Sequence, residues 1–316
     1  MAPEQPDVLM SVIVCTRNRA DLLRHALQSV VDQDFPRHAF EIVVVDNAST
    51  DSTMETVNEF RNHVRLRYVH EQRIGLCVAR NTGWRNAVGR YIVFFDDDAI
   101  ARPGWLSAVR EAFERAGPSI GVIGGRVDPI WQAPRPDWLA DEIAGSLTIV
   151  HWGNVEKVIP DIRREWLVGA NMALPKRLLA EVGGFHPWLD RVGNNLLSSG
   201  DVFLQKEVMR RGYTCLYVPA MSIEHLVPLS RLDQRWFLKR FFWQGVSDAV
   251  MQIIEGAPSP RERLSLAAKR MARMVRSPAR LLRLPFRTHR PETFRTKCLA
   301  LIDIGYVMGL LGAARH

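Results

Sequence analysis

The chain has 316 residues, of which 47% are hydrophobic, ample for a packed core, so a globular enzyme is the default expectation. Its four cysteines, Cys15, Cys77, Cys215 and Cys298, form no CxxC pair, which argues against a zinc site or a disulfide framework and fits a reducing cytoplasm. The net charge is +8, but twelve Lys or Arg against two Glu between Arg261 and Lys297 give that segment +10 and leave −2 for the rest, so the basic character is local.

Before residue 125 the pattern alternates. Residues 11–15 read as a strand, 19–33 as a helix, 41–45 as a strand and 51–62 as a helix. Residues 65–69 then read as a short strand, 75–88 as a helix, and the apolar run 91–95 as a buried strand. This is the order of an α/β fold with a mostly parallel central sheet flanked by helices. In such sheets ligands collect beyond the C-terminal strand ends. Three polar loops fall there: Thr16-Arg17-Asn18, then Asp46-Asn47-Ala48-Ser49, then Asp96-Asp97-Asp98.

The last of these is the most informative. Three adjacent carboxylates repel one another and resist burial, so at a strand end they call for a cation, in the first instance an oxygen-seeking divalent ion bridging to phosphates. A solvated acidic turn is the plain alternative. Asp46 can accept from a base N–H, and Thr16, Arg17 and Asn18 can hold ribose or phosphate oxygens. Ser49 or Thr50 can equally cap the following helix. Arg80 and Asn81 fall on a helix, where a satisfied surface Arg is the plain alternative.

Taken together, the residues carry a resemblance. The stretches Ser11-Val12-Ile13-Val14-Cys15-Thr16-Arg17-Asn18-Arg19, Val43-Val44-Val45-Asp46-Asn47-Ala48-Ser49-Thr50-Asp51 and Ala79-Arg80-Asn81-Thr82-Gly83 come first. Phe94-Phe95-Asp96-Asp97-Asp98 with Pro103-Gly104-Trp105-Leu106 follows. In this order they resemble a family 2 glycosyltransferase of the GT-A fold, of the type that builds bacterial exopolysaccharide. Gly169-Ala170-Asn171-Met172, Gly183-Gly184-Phe185, Gly200-Asp201-Val202-Phe203-Leu204 and the stretch from Gly212 to His225 extend the similarity over residues 9–228.

The resemblance implies a nucleoside diphosphate sugar donor, UDP favoured, held by Thr16, Arg17, Asn18, Asp46, Asn47, Arg80, Asp96, Asp97 and Asn171. It implies a DxD pair, Asp96 and Asp98, around Mn²⁺ or Mg²⁺, with His225 completing the metal or diphosphate site. Asp201 matches the base of an inverting transfer, although an acid at a helix start is otherwise a cap. Family members often have two adjacent acids there, where this chain has Gly200-Asp201; Asp190 is a spare candidate. The implied acceptor is a saccharide or lipid-linked saccharide. A sugar-phosphate nucleotidyltransferase is a competing reading, without the N-terminal glycine-rich signature of such enzymes; a noncatalytic scaffold of the same fold is another.

The tryptophans at 131, 138, 152 and 166 suit sugar stacking or a core equally. Residues 1–230 are expected to form the GT-A domain and 231–316 a helical basic extension. On a wheel, residues 264–276 place Leu264, Ala267, Ala268, Met271, Met274 and Val275 opposite Lys269, Arg270, Arg273 and Arg276, with Leu266 as a misfit and Pro278 as the stop. Such a helix suits an anionic membrane surface, or packs on its own domain. No nucleic acid is expected, because aromatic residues are not interleaved with the charges. Residues 1–7 are polar and the apolar run 298–312 is too short to span a bilayer, so a cytoplasmic protein, at most peripheral on the inner membrane face, is expected.

Overall fold

The structure, a computed structural model, describes residues 8–191, 195–276 and 288–312. Strands and helices alternate at first: β1 (Met10–Thr16), α1 (Ala20–Val31), β2 (Phe40–Asp46), α2 (Thr53–Glu59), β3 (Leu66–His70), α3 (Leu76–Asn86) and β4 (Tyr91–Asp96). Then come β5 (Ala99–Ala101), α4 (Trp105–Ala116), β6 (Ile120–Trp131), α5 (Asp141–Ala144), β7 (Lys157–Ile159), β8 (Asn171–Pro175), α6 (Lys176–Val182), α7 (Gly200–Arg210) and β9 (Thr214–Val227). Three longer helices follow, α8 (Gln234–Gly256), α9 (Pro260–Val275) and α10 (Pro291–Leu310).

One mixed sheet has the order β3-β2-β1-β4-β8-β6-β9-β5, with β7 paired to β9. β3, β2, β1 and β4 are parallel, and β8 runs antiparallel to β4. The physical reason is visible in the residues. β2 is buried along its whole length and β1 and β4 nearly so, as their unbroken apolar runs demand of strands covered on both faces. β3, at the edge, alternates between half-buried and exposed. The expected α/β fold is therefore present, as a parallel four-stranded core extended by antiparallel strands.

The chain forms two compact units. The first comprises residues 1–130, 148–187 and 200–226; the second comprises 131–147, 188–199 and 227–316. Two segments from inside the expected 1–230 domain thus group with the C-terminal helices. In the second unit α8 and α10 approach closely at glycines: a Cβ on Gly245 would stand 2.0 Å from the Ile302 carbonyl oxygen, and one on Gly305 would stand 1.9 Å from that of Phe242. Phe237, buried, stacks edge-on with Trp138 and Phe294. Among the described residues no helix is long and apolar enough to cross a membrane.

Candidate active site

The acids sit where the sheet delivers them. β4 ends at Asp96, and after two intervening residues β5 begins and turns the chain onto β9, pairing Ala99 with His225. The Leu226 N–H donates to the Asp98 carbonyl at 2.9 Å, which fixes that register. As a result one oxygen of Asp96, one of Asp98 and a ring nitrogen of His225 lie within 4.8 Å of one another. His225 Nε2 is 3.0 Å from Asp98 Oδ1. Its Nδ1 is buried and has no hydrogen-bond partner among the described residues.

Each acid has its own counter-charge. Arg80 is buried and donates from Nη2 to Asp96 Oδ1 at 2.9 Å. Arg19 places Nη1 at 3.0 Å from Asp97 Oδ1 and 3.1 Å from Asp98 Oδ2. Burial pushes the Asp97 carboxyl up to about 6, against the pull of the Arg19 guanidinium. Asp97 is thus a buried ion-pair partner, and Asp96, 28% exposed at its side chain, is the open member of the three. Two carboxylates and an imidazole form a donor set that suits Mn²⁺, and less well Mg²⁺, which prefers oxygen alone. The buried nitrogen without a partner and the convergence of the three ligands make the residues a fit for such an ion.

Asp201 opens α7 and is half-buried. Its Oδ2 accepts from the Gly169 N–H at 3.0 Å and its Oδ1 from its own neighbour's N–H, that of Val202, at 2.9 Å. Arg80 links it electrostatically to the acid cluster, since both Asp96 and Asp201 favour the guanidinium charge. Gly169 is required by that same arginine. A Cβ at 169 would stand 2.5 Å from Arg80 Nη1, so the small residue makes room for the guanidinium rather than for a sugar. Arg80 is therefore satisfied, as the plain alternative has it, but buried and not on the surface.

Several expected donor contacts are occupied from within. Asn171 is fully buried: its Oδ1 accepts from Trp105 Nε1 at 2.9 Å, and its Nδ2 donates to the carbonyls of Met221 and Arg126 at 2.7 and 3.1 Å. No donor or acceptor of its amide is left facing solvent. Asn47 is likewise a clamp. Its Nδ2 donates to the Glu71 and Arg73 carbonyls and its Oδ1 accepts from Gly75 N–H at 2.8 Å, holding the turn into α3.

Asp46 is buried and accepts from the Ser49 N–H at 2.8 Å and the Tyr68 hydroxyl at 2.6 Å. Asn18, with φ +53°, accepts from the Thr50 N–H at 2.7 Å and tethers the first loop to the second. Thr16 is buried and Arg17 is exposed at the same strand end. Ser49 does not cap α2 as expected; its hydroxyl accepts from Asn18 N–H, and Asp51 accepts from Thr53 at the helix start and from Ala20 N–H at the start of α1. Asp190 is buried within the second unit. Trp152 and Trp166 pair edge-on, with Trp152 Nε1 bonded to the Trp166 carbonyl at 2.8 Å, a packing role.

Arg19, Tyr68 and Asp51 were not singled out from the sequence. Arg19 alone had a readable signal, as the second arginine of the loop facing three acids.

This mixed sheet, with its acid cluster and helix-borne aspartate beyond the parallel strand ends, is the fold of a glycosyltransferase of GT-A type. Residues 11–166 match the model for Glycosyl transferase family 2, and the chain belongs to that family. It is 24% identical over 308 residues to the glucosyl-dolichyl phosphate glucuronosyltransferase of Haloferax volcanii, covering 96% of both chains. It is 35% identical over 200 residues to the validoxylamine A glucosyltransferase of Streptomyces hygroscopicus subsp. jinggangensis, over 56% of this chain and 47% of that one. Its fold is similar to that of a Pyrobaculum calidifontis mannosyltransferase in complex with GDP-Man and Mn²⁺, with a TM-score of 0.61 at 23% identity over 97% of this chain and 89% of the other. The fold of S. aureus TarS residues 1–349 in complex with UDP-GlcNAc is also similar, with a TM-score of 0.57 at 16% identity over 96% and 91%.

Proposed function

We propose that the protein is a metal-dependent, inverting glycosyltransferase that moves a sugar from a nucleoside diphosphate donor, UDP favoured, to a saccharide acceptor in the synthesis of cell-surface polysaccharide. The observation that carries this reading is the convergence of Asp96, Asp98 and His225 on one point at the end of β4. Mn²⁺ or Mg²⁺ held by these three residues would neutralise the donor diphosphate and the charge that develops on it as the glycosidic bond breaks.

The remaining work falls to the chain itself. Asp201 takes the proton of the acceptor hydroxyl as that oxygen attacks the anomeric carbon from the face opposite the departing diphosphate. Two backbone N–H groups, from Gly169 and Val202, aim its carboxylate and hold it still. Arg80 sets the orientation of Asp96 and adds positive potential between that acid and Asp201. Asp46, fixed by Tyr68, is the proposed neighbour of the base, through the acceptor capacity its carboxylate retains. Thr16, Arg17 and Asn18 border the diphosphate in this reading.

A lipid-linked acceptor is the favoured class, supported by the glucosyl-dolichyl phosphate in the name of the Haloferax relative. Such an acceptor fits a protein acting at the inner membrane face.

Calorimetric titration with UDP, GDP and dTDP, each with Mn²⁺ and with EDTA, tests the donor side. One nucleotide should bind only with metal; equal binding in EDTA would remove the metal from the reading. Asp201→Asn should lower transfer by about 10²- to 10⁴-fold while leaving donor affinity within about twofold of wild type, as expected for loss of a general base. Normal turnover by that variant would remove Asp201 from its role.

A further inference from the structure

The C-terminal unit presents a surface that the transfer chemistry does not use. α9 is tied at its start by a capping box, in which the Ser259 hydroxyl accepts from Glu262 N–H and the Glu262 carboxylate accepts from Ser259 N–H. It packs on α8 and α10 through Ala267, which is buried with Ala249, Val307 and Leu310, and through Leu266, which lies against the same cluster. Arg270 extends this inner face, with Nε 2.6 Å from Asp303 Oδ1 and the guanidinium over the Tyr306 ring. The apolar face read from the wheel is therefore divided. Ala267 points inward, the misfit Leu266 joins it, Met274 is half-buried, and Leu264, Ala268, Met271 and Val275 are left outside. Pro278, the expected stop, lies outside the described residues, and the helix ends at Val275.

What remains outside is ordered. Leu264 is 58% exposed, Met271 46% and Val275 69%. Spacings of seven and four put all three on one stripe along the helix, with exposed Ala268 between them. Arg261 flanks that stripe, and Arg276, Lys269 and Arg273 stand further round the helix on its polar side, all exposed, with no carboxylate pairing to them among the described residues. An apolar stripe of long side chains on a helix whose polar side is cationic is a poor solvent face and a poor nucleic-acid face, since it offers no ring for a base to stack on. It matches a bilayer interface, where the apolar row enters the acyl boundary and the cations meet anionic headgroups. The surrounding segment, with its local +10, adds long-range attraction to the same surface.

We infer that α9, through the exposed apolar stripe of Leu264, Met271 and Val275 and the cations Lys269, Arg273 and Arg276 of its polar side, docks the protein on an anionic lipid surface. The occupant is identified by charge complementarity and by the pairing of exposed apolar and cationic rows. The inference is independent of the proposed transfer reaction, and neither Asp201 nor the acid cluster contributes to it.

Flotation of the full chain with vesicles of phosphatidylcholine alone and with vesicles of equal parts phosphatidylcholine and phosphatidylglycerol tests it. Wild type should float only with the anionic vesicles, and less so as salt is raised. Replacing Leu264, Met271 and Val275 together by Ser should weaken that binding by at least about tenfold, because the apolar contribution is lost while every charge remains. Replacing Lys269, Arg273 and Arg276 together by Gln should abolish the preference for anionic vesicles. Both triple variants change exposed side chains only and should keep the thermal unfolding midpoint of wild type, so a loss of binding reports the surface and not the fold. Asp201→Asn should bind vesicles as wild type does, which separates this inference from the transfer reading. Undiminished binding by the serine variant, absence of binding by wild type, or capture of mixed-sequence RNA in preference to vesicles would each overturn it.

Discussion

Residues that look alike in the sequence divide sharply by what already surrounds them. Asn171 and Asp96 both stand at strand ends near the site, yet the asparagine is completely paired inside the protein while the aspartate keeps an exposed edge. Asn171→Ala should therefore cost about 3 kcal/mol of stability, because it leaves the Trp105 indole N–H and two carbonyls unsatisfied. Donor affinity of the folded variant should be unchanged by calorimetry; a variant with normal stability and no donor binding would return Asn171 to the donor. Gly169→Ala makes the converse case. The added methyl meets the Arg80 guanidinium at 2.5 Å, so Arg80 must leave its place beside Asp96. A loss on the order of 10²-fold in kcat is expected from that displacement, with the fold retained. Wild-type turnover would show that the guanidinium position is not needed.

At the scale of elements, the junctions carry as much structure as the strands. The turn from β3 into α3 is closed by Glu71, which pairs with Arg73 and accepts from the Thr82 hydroxyl at 2.6 Å. Arg73, then Thr82, hold the Glu71 carboxyl down to about 2. A carboxylate whose folded pKa is depressed stabilises the protein above its unfolded value, near 4.5, and loses that contribution as pH falls toward 2. Arg73 is 75% exposed, so solvent screening reduces the effect to about 1 kcal/mol. Glu71→Gln should accordingly narrow the loss of stability between neutral pH and pH 2 by about that amount, read from unfolding midpoints across the range; an identical pH profile would refute the clamp. The β5–β9 pairing is the other decisive junction. It alone brings His225 to the acids, since Ala99 and His225 are partners in its register.

For the molecule as a whole, the first unit gathers the acid cluster from β4, the turn after it and β9, so an ion bound there ties distant parts of the chain together. Mn²⁺ that binds the folded state alone should raise stability by about 2.7 kcal/mol at a concentration a hundred times its Kd, and Asp98→Asn should remove most of that rise. The check is the unfolding midpoint with and without Mn²⁺; equal midpoints in wild type would show that the cluster holds no ion. The alternation of the first four strands with their helices, the acids at the end of β4, the helix bearing Asp201 and the basic C-terminal segment were legible in the sequence, because unbroken apolar runs, a sharp change to charge and helical spacing are local signals. Side-chain availability was not. Whether Asn47 and Asn171 face a ligand or the protein, that Arg19 bridges Asp97 and Asp98, that Gly169 makes room for Arg80, and which stripe of α9 meets solvent all depend on partners far away in the chain. Polar groups in a packed interior take whatever partner the tertiary structure brings within reach, and a linear pattern records the groups without recording who meets whom.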